Sequence, residues 1–92
     1  MGPPNYEALL GALRRIEELL QFPEIPGNID KANVLALSIA GTTAPGRISD
    51  LAITVAGEAN ALRAKSADRS RLNHALGHLR LALQEARRRP AP

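Results

Sequence analysis

Apolar side chains recur every three or four residues in four successive segments of this 92-residue chain. The two most regular stripes run through Tyr6, Leu9, Leu10, Leu13, Ile16 and Leu20, and through Leu72, Ala75, Leu76, Leu79, Ala82, Leu83 and Ala86. This spacing keeps the apolar residues on one face of an α-helix. The chain is therefore predicted to be all-α: a compact small bundle of four helices, three long and one short, in a single domain over residues 1–92.

Capping and turn residues predict where the first helix begins and ends. Asn5 can cap its N-terminus, and the helix should stop near Gln21, because a proline follows two residues later. Segment 22–27 contains two prolines and should be a rigid connector. We expect its Phe22 and Ile25 to pack against the core.

The second helix is predicted to be shorter, with Asp30 as its cap and an end near Ala40. Gly41 would then take the left-handed conformation that closes many helices. The third helix should follow the turn at 42–46, with Ser49 or Thr43 as its cap.

The second helix is apolar almost all round, because Val34 and Leu37 lie off its main stripe. Such a helix is usually covered on both sides, which indicates a further surface such as another copy of the chain. A short strand over 34–40 is an alternative that periodicity does not exclude, and the whole stretch 33–56 could be helix or strand.

The fourth helix is predicted from Asp68 to Arg88, and residues 1–5 and 89–92 are expected to be frayed or disordered. The predicted core consists of the large aliphatic residues of the four stripes: Leu9, Leu13, Ile16, Leu35, Ile39, Leu51, Val55, Leu62, Leu72, Leu76, Leu79 and Leu83.

Basic residues are concentrated in the second half of the chain. Residues 1–46 carry three basic and five acidic side chains, whereas residues 47–92 carry nine basic and four acidic ones. A basic half can meet phosphates or an acidic protein. Arg outnumbers Lys ten to two, which is also typical of a GC-rich bacterial coding sequence without selection for nucleic-acid binding.

Two histidines share one face of the fourth helix, since His74 and His78 are four residues apart. This is the spacing of two zinc ligands, and Glu85 lies on the same stripe. The position after the first histidine is Ala75, where zinc proteases carry a catalytic glutamate, and the chain has no other histidine. We therefore expect no metal site.

Leu81 falls on the same side of the fourth helix as these histidines. Such a mildly polar face can pack against a partner helix. The predicted partner interface therefore comprises Val34, Leu37, His74, His78 and Leu81.

The favoured function is a non-enzymatic protein–protein interaction module that associates with itself or with another protein. The alternative is a small basic nucleic-acid-binding regulator that uses Arg63, Lys65, Arg69, Arg71 and Arg80.

No nucleophile motif or glycine-rich phosphate loop is present, so neither an enzyme nor a cofactor is expected. Cysteine is absent, which excludes disulfides and thiolate metal sites. No apolar stretch is long enough to span a membrane, no secretory signal is visible, and the expected location is the cytoplasm.

Overall fold

The computed structural model describes residues 5–64 and 68–89, and these residues form four α-helices and no strand. The helices are α1 (Tyr6–Leu20), α2 (Asn28–Thr42), α3 (Arg47–Ala61) and α4 (Arg69–Arg88). Each helix packs against its neighbour in sequence, and α4 also packs against α1. The helices thus stand at the corners of a four-helix bundle, with α2 diagonal to α4. The all-α prediction is confirmed, and the strand alternative over 34–40 is wrong.

The first helix begins and ends where its sequence predicts. The Asn5 side chain accepts a hydrogen bond from the backbone N–H of Ala8, at 3.2 Å. Gln21 is the C-cap. The apolar stripe of α1 is buried against the other helices, with Leu13 and Ile16 almost inaccessible to solvent.

The connector between α1 and α2 differs from the prediction, because its apolar side chains do not reach the core. Phe22 is 53% exposed and Ile25 is 48% exposed. The first turn of α2 takes their place: Ile29 is buried, and the buried Asn28 amide donates hydrogen bonds to backbone carbonyls of the preceding segment. The core is thus already closed at this end, and the two side chains project outwards.

The second helix is longer than predicted, since α1, α2 and α3 each contain 15 residues and α4 contains 20. Its N-cap is Gly27 in the left-handed conformation, with φ of 87°, and Asp30 lies in the first turn instead of capping it. Gly41 lies inside the helix without a positive φ. The C-cap is Thr43, whose hydroxyl donates a hydrogen bond to the Ile39 carbonyl at 3.1 Å. The last turn therefore ends without a glycine.

The third helix has a different cap and a more alanine-rich core face than predicted. Its N-cap is Gly46, so neither Ser49 nor Thr43 caps it. Leu51 and Leu62 are only half-buried, as is Leu35 of α2, whereas the other predicted core residues are buried. The residues that α3 buries are Ala52, Val55, Ala56 and Ala59. Because alanine side chains are small, α3 can approach its neighbours closely, and the leucines cover the edges of the contact.

The fourth helix confirms its prediction, with Asp68 as N-cap and Arg88 as its last residue. The Asp68 carboxylate accepts a hydrogen bond from the backbone N–H of Ser70, at 2.9 Å. This bond, with a second one from the Ser70 hydroxyl and the charge of Arg71, holds the pKa of Asp68 below its ordinary value, although burial opposes the shift.

The predicted frayed ends fall almost wholly outside the part of the chain that the structure describes. Residues 1–4 and 90–92 are outside it, whereas Asn5 and Arg89 are the caps of α1 and α4. Among the described residues, no helix is both long enough and apolar enough to cross a membrane.

Candidate interaction surface

Three residues of α2 form a stripe that points away from the bundle core. Asp30, Val34 and Leu37 are spaced by four and three residues, so they lie on one side of the helix. Asp30 marks which side this is, because its carboxylate pairs with Arg63, just beyond the end of α3. The stripe therefore borders α3, but Asp30 and Val34 also line a groove with Leu19 of α1, so it points outwards between the two neighbours of α2.

One residue of α3 continues this apolar surface. Arg63 also donates a hydrogen bond to the Asn60 side chain, at 2.7 Å, so Asn60 lies on the side of α3 that faces α2. Ile53 is seven residues before Asn60, two helical turns away on the same side. Leu37 is likewise seven residues after Asp30, and α2 and α3 are antiparallel, so Leu37 and Ile53 lie at about the same height in the bundle.

Val34, Leu37 and Ile53 together make up the α2–α3 face, which is the main exposed aliphatic surface on the helices. Val34 is 67% exposed, Leu37 49% and Ile53 52%. Isolated exposed aliphatic residues are ordinary, but three on adjoining helix faces form a patch. The prediction for Val34 and Leu37 rested on their position off the stripe of α2, and their exposure agrees with that position.

Charged residues lie at both ends of the α2–α3 face. Asp30 and Arg63 form an ion pair at one end, whereas the neighbouring Lys31 lines a groove with Arg15 and Leu19 of α1. Asp50 is one turn before Ile53, which places it at the opposite end. Asp30, Arg63 and Asp50 together carry a charge of −1, although the chain as a whole carries +3.

The other three predicted interface residues lie on a different side of the molecule. His74 and His78 are exposed and line a groove between α3 and α4, together with Leu51 and Glu58. Leu81 follows one turn later and is 54% exposed. Since α2 and α4 are diagonal in the bundle, the five predicted residues form two separate surfaces rather than one.

The two histidine rings lie close together on the exposed side of α4. The His74 and His78 ring centroids are 6.1 Å apart, and the rings meet edge to face. Glu85, on the same stripe, contacts Arg47 of α3 at 3.9 Å. Within residues 5–64 and 68–89, no group of three metal-ligating side chains is placed to hold an ion.

The basic residues assigned to the nucleic-acid alternative are dispersed over the bundle. Arg63 pairs with Asp30 at the α2–α3 edge, whereas Arg80 pairs with Glu17 at the α1–α4 edge. Arg69 donates a hydrogen bond to the Leu20 carbonyl, at 2.8 Å.

The two other residues of the basic set do not join these arginines into one surface. Arg71 lines the groove between α3 and α4. Lys65 lies outside the described residues. The described members therefore occupy three different edges of the bundle.

Acidic residues of the first half of the chain form ion pairs with arginines of the second half. Glu17 pairs with Arg80, Asp30 pairs with Arg63, and Glu7 accepts a hydrogen bond from Arg87 at 2.8 Å. Each pair joins an acid of the first half to an arginine of the second. Part of the basic excess that suggested phosphate binding therefore faces carboxylates of the same molecule.

Sequence reasoning missed two residues that matter for this surface and its support. Ile53 lies off the stripe of α3, which is the same signal that identified Val34, and it could have been found in that way. Asn28 could not, because nothing in the sequence distinguishes a buried asparagine that caps another helix from one in a loop. Its amide lies 3.1 Å from the carbonyl oxygens of Leu19 and Phe22.

Comparison of the chain with protein-family models, with curated proteins and with solved structures gave no match.

Proposed function

We propose that this protein is a non-enzymatic interaction module that associates with itself through the α2–α3 face. The observation that carries the proposal is the exposure of Val34, Leu37 and Ile53 on two adjoining helices. Covering these side chains removes apolar surface from water, which is the usual driving force for protein association. We also place this module in the cytoplasm.

The size of the face sets the expected strength of the association. A helix of 15 residues is about 22 Å long, and two helices packed side by side span about 20 Å. The flat area is therefore about 400 Å² per copy, or about 800 Å² for a pair, which is below the range of about 1,200–2,000 Å² that stable specific interfaces bury. We accordingly expect a weak dimer, with a dissociation constant on the order of 10 μM.

Substitution of the exposed leucine of α2 tests the proposal. Leu37→Ser removes an aliphatic side chain from both copies and leaves the bundle core untouched. We expect the dissociation constant to rise at least about tenfold, since burying such a side chain is worth about 1–2 kcal/mol. Sedimentation equilibrium from about 1 to 200 μM measures it, and this range brackets the expected constant.

Leu81→Ser is the matched control, because Leu81 is 54% exposed and Leu37 is 49% exposed. Leu81 lies on α4, diagonal to α2, and its substitution should leave the dissociation constant unchanged. A wild-type protein that stays monomeric throughout the concentration range would contradict the proposal. Equal effects of the two substitutions would contradict the choice of face.

A further inference from the structure

We propose that the groove between α1 and α4 binds a single phosphate group, with the Arg14 guanidinium as its main partner. The packing order of the helices places this groove on the side of the bundle opposite the α2–α3 face. The inference therefore goes beyond the proposed function and does not depend on it.

The groove brings basic side chains of two helices together. From α1 it is lined by Gly11 and Arg14, and from α4 by Arg80, Gln84 and Arg87. Its volume is about 460 Å³, and it is more enclosed than the groove between α3 and α4. This volume lies within the range of about 300–1,000 Å³ that small-molecule sites occupy.

An ion pair stands towards each end of the groove. Arg80 pairs with Glu17, and Arg87 donates a hydrogen bond to Glu7 at 2.8 Å. The two glutamates are ten residues apart on α1, which separates the two ion pairs by about 15 Å. Each carboxylate holds its arginine in place. Because a guanidinium has five N–H donors, each arginine keeps donors for a ligand.

Arg14 lies between these two ion pairs along α1. Its side chain is exposed, and it has no ion-pair partner within residues 5–64 and 68–89. On the α4 wall, Gln84 supplies an amide that can donate to an oxygen. Three arginines and two glutamates line the groove, which leaves it a net charge of +1, with Arg14 as the unpaired cation. An anion with several acceptor oxygens matches this arrangement.

Gly11 leaves open space beside Arg14. It lies three residues before Arg14 on α1, so both face the same side of the helix. Glycine is less favourable than alanine inside a helix, yet packing does not require it here, because a β-carbon at Gly11 would meet no atom within 4 Å. The missing side chain thus widens the groove without serving the core.

A single phosphate group fits this groove better than a nucleic-acid backbone does. Arginine binds phosphate oxygens through paired N–H donors. A nucleic acid presents its phosphates in rows, and the carboxylates of Glu7 and Glu17 would repel the phosphates on either side of the one at Arg14. The expected ligand is therefore free phosphate or a small phosphate ester.

Neutralising Arg14 tests the site. NMR titration of the full chain with inorganic phosphate at constant ionic strength measures the dissociation constant, which we expect to be on the order of 1 mM. Arg14→Gln should raise it at least about tenfold, because charge-assisted hydrogen bonds are lost. Arg15→Gln is the matched control. It removes the same charge from the next residue of α1, which lines the groove on the α2 side, and should leave the constant unchanged.

Gly11→Gln is a second variant that keeps every charge of the groove. Its side chain occupies the space beside Arg14, so the dissociation constant should again rise at least about tenfold. Circular dichroism checks that each variant keeps its helices. Titration with phenyl phosphate distinguishes the two sources of the group: tighter binding than inorganic phosphate indicates a phosphate ester, and weaker binding indicates the free ion.

The outcomes separate this inference from the proposed function. Weakened binding in Arg14→Gln and Gly11→Gln, with wild-type binding in Arg15→Gln, supports the site. No binding by the wild-type protein at about 20 mM phosphate, well above the expected constant, overturns it. Equal weakening by Arg14→Gln and Arg15→Gln would reveal attraction to net charge alone, and an unaffected Gly11→Gln would place the anion outside the groove. Either result overturns the site and leaves the proposed association through the α2–α3 face untouched.

Discussion

Gly27 has a backbone conformation that limits what can replace it. Its φ of 87° lies in the left-handed region, where a β-carbon is strained, although open space surrounds the position. Gly41, inside α2, has no positive φ and equally open surroundings. A side chain is thus disfavoured at Gly27, whereas alanine fits the helical conformation of Gly41.

Alanine at these two positions should change stability in opposite directions. We expect Gly27→Ala to lower the free energy of unfolding by about 1 kcal/mol because of backbone strain. Gly41→Ala should raise it by about 0.5 kcal/mol, because alanine loses less entropy in a helix. Urea denaturation measures both. A destabilised Gly41→Ala variant would mean that Gly41 closes the helix, as its sequence position had suggested.

Asn28 supports the end of α1 from the first turn of α2. Its buried amide donates to the carbonyls of both Leu19 and Phe22, each of which also accepts a bond from a backbone N–H of the turn that follows α1. This contact makes the amide part of the junction between the two helices. Nearby, Arg69 donates to the carbonyl of Leu20.

Loss of the Asn28 amide should lower the free energy of unfolding more than loss of the Asn33 amide does. Asn28→Ala removes two side-chain hydrogen bonds, each worth about 0.5–1.5 kcal/mol, and should lower the free energy of unfolding by about 1–3 kcal/mol. Asn33→Ala is the control, since Asn33 donates a single bond of 3.3 Å to the Ala56 carbonyl. Chemical denaturation compares the two, and equal losses would contradict the role assigned to Asn28.

At the level of helices, the sequence predicts the ends of α1 and α4 well and those of α2 and α3 poorly. Asn5 and Asp68 cap through their side chains, a signal that is visible in the sequence. Gly27 and Gly46 cap with the backbone alone. A glycine after a proline reads equally well as part of a turn, so the start of the next helix is not visible.

The Asp68 cap of α4 should make the stability of the protein depend on pH in the acidic range. Because the hydrogen bond from Ser70 lowers the pKa of Asp68 in the folded state, this cap stabilises the protein above the pKa of the unfolded chain. The contribution is lost as the pH falls through the lowered folded pKa. Asp68→Asn keeps an acceptor that can cap but does not titrate.

Thermal melting between pH 5 and pH 2.5 tests this dependence on Asp68. Wild type should lose more of its melting temperature over that range than Asp68→Asn does. Identical losses in the two proteins would show that the cap contributes no pH dependence.

The core could be predicted only in part, because apolar stripes give most weight to large residues. Val55 is buried as predicted, but its neighbours Ala52 and Ala56 are buried too, and Leu51 is not fully covered. Where two helices touch, small side chains lie at the centre and larger ones at the edges. Which side of α3 becomes the centre depends on its neighbours, and the sequence of α3 alone does not contain that information.

For the whole molecule, the sequence predicts the fold class and part of the surface that we propose for association. The apolar excess of α2 predicted an uncovered side at Val34 and Leu37, and both are exposed. The location of the other three predicted interface residues required the bundle, because only the packing order of the helices separates α2 from α4. Ile53 joins the surface only once α2 and α3 are placed side by side.

Exposed ion pairs such as those between Glu17 and Arg80 or Asp30 and Arg63 add little stability individually. Their placement has another consequence. They connect an N-terminal helical hairpin of negative sign to a C-terminal hairpin of positive sign, and only the turn between α2 and α3 joins the two covalently. Two polypeptides made by cutting that turn would carry opposite net charges and complementary apolar faces. We therefore expect the two fragments to associate and to refold together into the bundle.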